Sequence, residues 1–376
     1  MKIPFIGDNG DMKNTHSSSP IGAGASRVRA AFRDQARICE DLGSRFTARV
    51  LRILARILTP RTAFGARILH WPGNPVATAD ALALRAVGAL HALVLGGHAP
   101  ALAALYPPRA APEDVPDGDL ERALLGAIES HDVELAAWLD NPPQTNEVAR
   151  AALLYPGMMT IARRTSLPLV IFEIGASAGL NLVLDRYAYR LGAWWGGDRS
   201  SPLLLKPRWR GPSPRGPAPV ISARRGCDIA PIDVTRKHDV ARLMAYVWPD
   251  QEDRARRLGR ALALARAAPP CIDRMEAREW VRRRIRPAIA PGRVRVLFHS
   301  LVLTYLSAAD RAAICQHMED VGRQATSEAP LAWLACELDD DARMRLRLRL
   351  WPGGEPTLLA EADAHGRAVW WRAAAA

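Results

Sequence analysis

Apolar positions along this chain change period once, and the change divides it. From residue 26 to about 140 they recur at helical spacing. Val28, Ala31, Phe32 and Ile38, with Gln35 among them, form one stripe. Gly43 interrupts it. Phe46, Val50, Leu51, Ile53, Leu54 and Ile57 form the next, which ends before Pro60. Ala79 to Leu95 is a third, strongly apolar helix. Pro107, Pro108, Pro112 and Pro116 mark a loop, and Leu120 to Leu139 is helical again with a break near His131. Asn141-Pro142-Pro143 stops that run. Thr145 or Asn146 then caps a helix reaching about Arg164. These segments predict an all-helical domain over residues 26–165.

Beyond it the period shortens. Leu169 to Ile174 is a nearly unbroken apolar run, the pattern of a strand buried on both faces. A small-residue turn, Gly175 to Gly179, comes next, and Leu180, Val183, Leu184 and Tyr187 then have helical spacing. Val220–Ala223, Ile272–Met275, Val294–Phe298 and Leu331–Cys336 read as further strands. Helices over 240–247, 251–267, 276–285 and 308–322 separate them. Tyr187 to Arg190 reads as a short strand, and residues 192–219 as an irregular insertion. Near the end, Arg343, Arg345, Arg347 and Arg349 alternate with Met344, Leu346, Leu348 and Leu350. That is a strand with one buried face and one lined by arginine. Leu358 to Trp371 returns around a turn at His365-Gly366. Strand–helix alternation closed by antiparallel strands predicts an α/β fold over residues 166–376. The expected sheet is Rossmann-like, of the class I methyltransferase type, mostly parallel with antiparallel C-terminal strands. Residues 1–25 are polar and Gly/Ser-rich and read as a disordered tail.

Composition narrows the function classes. A chain of 376 residues favours two domains, and 49% hydrophobic residues suffices for burial. Net charge is +12, yet only Lys2, Lys13, Lys206 and Lys237 among the 51 basic residues are lysine. Arginine and alanine dominance fits a GC-rich bacterial coding bias as well as polyanion binding. No stretch joins a basic block to interleaved aromatics, which argues against nucleic acid as a partner. Cys39, Cys227, Cys271, Cys315 and Cys336 are odd in number and widely spaced, as reduced thiols in a cytoplasm would be. No ligand spacing nominates a metal; His91 and His98 are too few. The longest apolar segment, Ala79 to Leu95, carries Asp80, Arg85 and His91, so no membrane span is expected. The N-terminus lacks the apolar core of a signal peptide.

The corner after the 169–174 strand carries the candidate chemistry. Glu173-x-Gly175-x-x-x-Gly179 looks like the first motif of class I S-adenosylmethionine methyltransferases, acidic-x-Gly-x-Gly-x-Gly, with Ser177 in place of the middle glycine. Glycines there would let a cofactor approach the backbone. The same residues spell Gly-x-Ser-x-Gly, the nucleophile elbow of α/β-hydrolases, with Ser177 as nucleophile. Glu173 favours the first reading, because a carboxylate suits a cofactor ammonium or ribose and an elbow serine has no need of it. A third reading is a non-catalytic methyltransferase-like module that binds a ligand or scaffolds a partner.

Several stretches together resemble an uncharacterised bacterial family, domain of unknown function 2332, from about Arg29 onward. They are residues 31–36, Gly88 to Leu93, Pro143-Gln144-Thr145-Asn146-Glu147, Glu173 to Leu182 and Arg225-Gly226-Cys227-Asp228. The others are Trp248-Pro249-Asp250-Gln251, Phe298-His299-Ser300 and Trp351-Pro352-Gly353-Gly354. The resemblance implies a methyltransferase-like fold and supplies no activity. Before Ala277 the chain has Glu276 where the family pattern usually has Asp.

In the methyltransferase reading S-adenosylmethionine sits beyond the carboxyl ends of the strands. Glu173, Gly175, Ala176, Ser177, Gly179 and Asn181 would line it. Asp228 would accept the ribose hydroxyls and Glu276 would face the adenine amino group. His299 is the expected general base, since a histidine ordinarily titrates near neutrality. Tyr305 would orient a small-molecule acceptor of unknown identity. Gln144, Asn146, Glu147, Arg150 and Ser300 are expected near the pocket.

Overall fold

Helical periodicity begins earlier than the sequence suggested. In the computed structural model, which describes residues 20–287, 291–339 and 343–372, α1 spans Pro20–Asp41. It begins inside the stretch expected as a tail, and residues 1–19 of that stretch lie outside the described residues. It is followed by α2 (Arg45–Ile57), α3 (Ala63–Leu69), α4 (Leu82–Gly96), α5 (Pro100–Ala103), α6 (Asp117–Ser130) and α7 (Asp132–Trp138). α8 (Ala151–Thr165) leads into β1 (Leu169–Ile174). Then come β2 (Ala188–Leu191), β3 (Trp194–Gly197), β4 (Leu204–Leu205), β5 (Arg208–Arg210) and β6 (Ile221–Asp228). The chain continues through α9 (Lys237–Ala245), α10 (Glu252–Ala267), β7 (Ile272–Arg274), α11 (Ala277–Arg284), β8 (Val294–Ser300) and α12 (Ala308–Gly322). It closes with β9 (Leu331–Leu338), β10 (Met344–Trp351), β11 (Thr357–Ala362) and β12 (Ala368–Trp371).

These elements form two compact units. The helical unit runs to Thr145 and takes back residues 236–256; the sheet unit holds Asn146–Thr235 and the chain from Arg257 onward. The expected boundary near 165 therefore differs from the packing. α8 is buried along nearly its whole length and meets β9 and β10: a Cβ on Gly157 would lie 2.9 Å from Leu334 and 3.3 Å from Leu346.

In the helical unit Phe32, Phe46, Leu51, Leu54, Phe64 and Leu90 are fully buried in one core. The returning segment is held by motif residues. Asp250 accepts hydrogen bonds from the Ser44 hydroxyl and the Phe46 N–H at the start of α2. His91 Nδ1–H donates to the Ala245 carbonyl at 3.1 Å. Gly88 leaves room for Tyr246, whose ring lies 2.6 Å from where a Cβ would stand.

The sheet unit is a mixed α/β structure. Its nine-stranded sheet has the order β5-β12-β11-β10-β9-β8-β1-β6-β7. β7, β6, β1, β8 and β9 are parallel neighbours, the order of a doubly wound sheet with its reversal between β1 and β8. β9 to β12 run as an antiparallel meander, and β5 adds in parallel at the edge. The region expected as irregular thus supplies the edge strand β5, and also β3 and β4, which flank β2, where a short strand was expected, in a small sheet β3-β2-β4. Because the strands from β7 to β9 run parallel, their carboxyl ends lie on one rim, where ligands of such sheets collect.

Candidate functional site

The rim at the β1–β8 reversal is built around the turn after Ile174. Gly175, Ser177 and Gly179 all have positive φ, at 64°, 52° and 69°. For Ser177 that conformation is costly and needs support. Its N–H donates to Asp228 Oδ2 at 2.8 Å, and its carbonyl accepts from Ile232 N at 3.1 Å. Asp228 Oδ1 accepts from Ala230 N at 2.8 Å. Asp228, expected to hold ribose hydroxyls, therefore staples the end of β6 to the turn after β1.

The segment beyond the turn differs from expectation. Residues Leu180–Arg186 form 3₁₀ turns broken at Val183, and no regular α-helix starts there. The buried phenols of Tyr187 and Tyr189 donate to the carbonyls of Leu180 and Leu184 at 2.6 Å each, capturing acceptors a helix would use. The first N–H groups are also engaged. Ala176 donates to the Cys227 carbonyl, Gly179 to the Ala176 carbonyl and Leu180 to Asn146 Oδ1 at 2.9 Å. Four of the backbone donors a phosphate cradle would use, those of Ala176, Ser177, Gly179 and Leu180, are thus already spent at this corner.

Nor do the two outer glycines stand open. A Cβ on Gly175 would lie 2.4 Å from a Val302 methyl, and one on Gly179 would lie 2.6 Å from Pro270. Their lack of a side chain admits protein neighbours, which corrects the expectation of bare backbone facing a ligand.

The side chains of the corner, unlike its backbone, leave polar atoms unmet. Glu173 is 1% exposed and Asn181 3%. Asn181 Nδ2–H donates to Glu173 Oε1 at 3.3 Å. Glu173 Oε2, Asn181 Oδ1 and Ser177 Oγ are buried and have no hydrogen-bond partner among the described residues. Burial drives the Glu173 carboxyl well above its ordinary value of 4.5, outweighing the Asn181 hydrogen bond, and the charge of Asp228 adds to the rise. Three unmet oxygens in one buried corner call for a donor-bearing group, such as an ammonium or hydroxyls.

His299, the penultimate residue of β8, is fully buried. An indole N–H can only donate, so Trp333 Nε1–H fixes His299 Nε2 as its acceptor at 2.9 Å. Nδ1 then carries the hydrogen and donates to Glu337 Oε1 at 2.6 Å. Glu337 also accepts from the N–H groups of Val302 and Leu303, at 2.9 and 3.3 Å. With both ring nitrogens committed, His299 positions the loop after β8 and offers a substrate no lone pair, against the general-base role expected of it. Tyr305 is 73% exposed on that loop, and Glu276 is exposed just before α11 without capping it by its side chain.

The segment preceding α8 does reach the rim. Beyond the Asn146–Leu180 bond, Arg150 Nε–H donates to the Ala364 carbonyl at 3.2 Å, and Arg150 Nη1 lies 3.5 Å from Ser300 Oγ. Glu147, 3% exposed, lies 3.6 Å from Arg257 and 3.7 Å from His365 Nδ1 in the β11–β12 turn. Gln144 falls in the helical unit. Thus Asn146, Glu147, Arg150, Ser300, Glu173, Ser177, Asn181 and Asp228 cluster at one end of the sheet. Trp333, Glu337 and Arg257 were not singled out by the sequence. Only the parallel register of β8 and β9 brings the first two beside His299. Among the described residues no group of three or more His, Cys, Asp or Glu could hold a metal.

A family model described as "Uncharacterized protein conserved in bacteria (DUF2332)" matches residues 29–371. The chain belongs to this family. No curated protein and no solved structure matches it. In this DUF2332 chain most stretches that carried the resemblance have structural work: Gly88, His91 and Asp250 hold the helical unit, Arg225 pairs with Asp273 at 2.5 and 2.7 Å, and Trp351 packs on Gly322. Glu173 and Asn181 are the exception. No helix of the described residues is long and apolar enough to cross a membrane.

Proposed function

We propose that the sheet unit is an S-adenosylmethionine-dependent methyltransferase acting on a small-molecule acceptor, with its site at the carboxyl ends of β1 and β8. One observation carries the reading. Glu173 and Asn181 are buried side by side at the reversal of a doubly wound parallel order, each with an oxygen lacking a donor. These acceptor oxygens suit the ammonium or hydroxyls of such a cofactor better than a phosphate, for which the N–H groups of Ala176, Ser177, Gly179 and Leu180 are already taken. Bound there, S-adenosylmethionine would supply an electrophilic methyl group.

The chain's own residues do the rest. Glu173 and Asn181 accept from the donor groups. Val302, packed over Gly175, must swing aside with the loop after β8. Leu301 at φ 58° is the strained residue on which that loop turns. The His365–Glu147 pair, on the same rim, replaces His299 as the acid–base element that receives an acceptor's proton.

Calorimetry of the full chain with S-adenosylmethionine and its demethylated product tests this. Saturable heat is expected, weakened roughly tenfold or more in Glu173→Gln. No heat with either compound at millimolar concentration overturns the reading.

The alternative hydrolase reading has one observation in its favour, the positive φ of Ser177 with its unpartnered hydroxyl. No imidazole among the described residues hydrogen-bonds to that Oγ. A serine-reactive phosphonate that labels the protein but not Ser177→Ala would establish it.

A further inference from the structure

The arginine-lined face of β10 does not end at β10. Register places Arg345 opposite Glu361, Glu361 opposite Trp370, and Trp370 opposite Arg210. One row therefore crosses β10, β11, β12 and β5. At about 4.8 Å per strand it is roughly 14 Å long. Alternation adds Arg347 and Arg208 to the same face, and Arg343 and Arg372 flank it.

Two carboxylates serve this face. Glu361 lies 2.8 Å from Arg372, 3.5 Å from Arg343 and 3.8 Å from Arg345, and Asp339 lies 2.6 Å from Arg345. Arg208, Arg210 and Arg347 are exposed and have no carboxylate partner among the described residues. Leaving aside Arg349, which is paired with Glu319 of α12 farther along β10, six guanidiniums thus face two acids. Trp370 stands in their midst, 40% exposed, with the Arg210 guanidinium 5.9 Å from its ring centre. On the opposite face Trp209 and Trp371 stack at 5.6 Å and secure the short edge strand β5 to β12.

We propose that this open sheet face binds single-stranded nucleic acid. A fixed row of guanidiniums matches a flexible chain of phosphates. An exposed indole between them offers an unpaired base a stacking platform, which a duplex cannot use and a lipid headgroup does not need. The composition concealed this surface, because its residues come from positions 208 to 372 and only pairing assembles them. The inference is independent of the methyltransferase reading.

The test is fluorescence anisotropy of the full chain with a labelled 12-nucleotide oligo(U), beside a duplex of equal length, heparin, and phosphatidylserine vesicles. Oligo(U) is expected to bind best. Arg210→Glu with Arg347→Glu should weaken binding about tenfold or more and flatten its dependence on log salt by roughly 0.7 per lost phosphate contact. Trp370→Leu should weaken it about fivefold or more and leave that slope unchanged, since stacking releases no counterion. Circular dichroism melts confirm that both variants are folded, and Trp370→Phe should restore binding. The proposal is overturned by no binding at low salt. It is equally overturned by equal affinity for duplex or heparin with Trp370→Leu inert, or by binding confined to vesicles.

Discussion

The imidazole of His299 is clamped: Glu337 Oε1 takes its Nδ1–H at 2.6 Å, while Trp333 donates to its other nitrogen. Glu337 is the acceptor for three donors in a buried place, His299, Val302 and Leu303. Glu337→Ala should cost about 3 kcal/mol, because each donor is left buried without a partner. In a sheet unit of this size that lowers Tm by roughly 6–12 °C. Trp333→Phe, which removes one bond, should cost about 1–2 kcal/mol. A melt unchanged in Glu337→Ala would make His299 a candidate base again.

The Glu173 carboxyl gives the protein a pH signature. Its folded-state pKa is raised, so its contribution is fully favourable below 4.5 and is lost as pH rises toward the raised value. Glu173→Gln and the parent should melt alike at pH 4.5, and the variant should melt progressively higher as pH increases. A cationic ligand stabilises the ionised carboxylate, so its affinity for the parent should rise over the same range. Thermal scans and titrations across pH check both, and parallel curves for the two proteins would contradict them.

Gly175 is held by two constraints. Its φ of 64° is poor for any L side chain, and Val302 occupies the space a Cβ needs. Gly175→Ala should destabilise by about 2 kcal/mol or more. Adding Val302→Ala removes the collision and leaves the backbone strain, so the double variant should recover part of the loss. Urea unfolding at a shared m-value measures it, and strictly additive losses would show that Val302 is not the obstacle.

Arg295 sits in β8 between Val170 of β1 and Leu331 of β9. Its three guanidinium nitrogens are buried without a partner among the described residues, and burial lowers its pKa from the ordinary value. An unpaired buried charge is costly, and an apolar side chain of similar length removes the cost. Arg295→Met should raise stability by about 1–3 kcal/mol, read from the urea midpoint. A loss instead would reveal that an anion or another acceptor meets the guanidinium in solution.

Much of this architecture was legible in advance, for local reasons. β1 shows as an apolar run broken only by Glu173 because both faces are covered. α12 spans the expected residues, Ala308 to Gly322, and the Ser307 hydroxyl caps its start by accepting from Asp310 N–H. β10 shows as a two-residue alternation because one face is open. The helix expected after Gly179 was misjudged for an equally physical reason. Its apolar spacing is helical, but Tyr187 and Tyr189 take two of its carbonyls, and spacing carries no record of that competition.

The candidate site divides along the same line. Residue type and local order sufficed to nominate Glu173, Asn181 and the rim segment from Asn146 to Arg150. They could not show that Asp228 and His299 spend their hydrogen bonds on the protein itself, or that Val302 and Pro270 fill the space beside Gly175 and Gly179. Those outcomes depend on partners 34 to 127 positions away, since satisfaction of a polar group is decided by what reaches it in space. Local residue order was enough for the periods, and so for the central strands, most helices and the α/β class; the short strands β3, β4 and β5 left no such trace. The tertiary structure alone decided which side chains share a face or a hydrogen bond. Backbone conformation is a local property, whereas burial, pairing and the joining of Arg210, Trp370 and Arg345 in one row are properties of the folded whole.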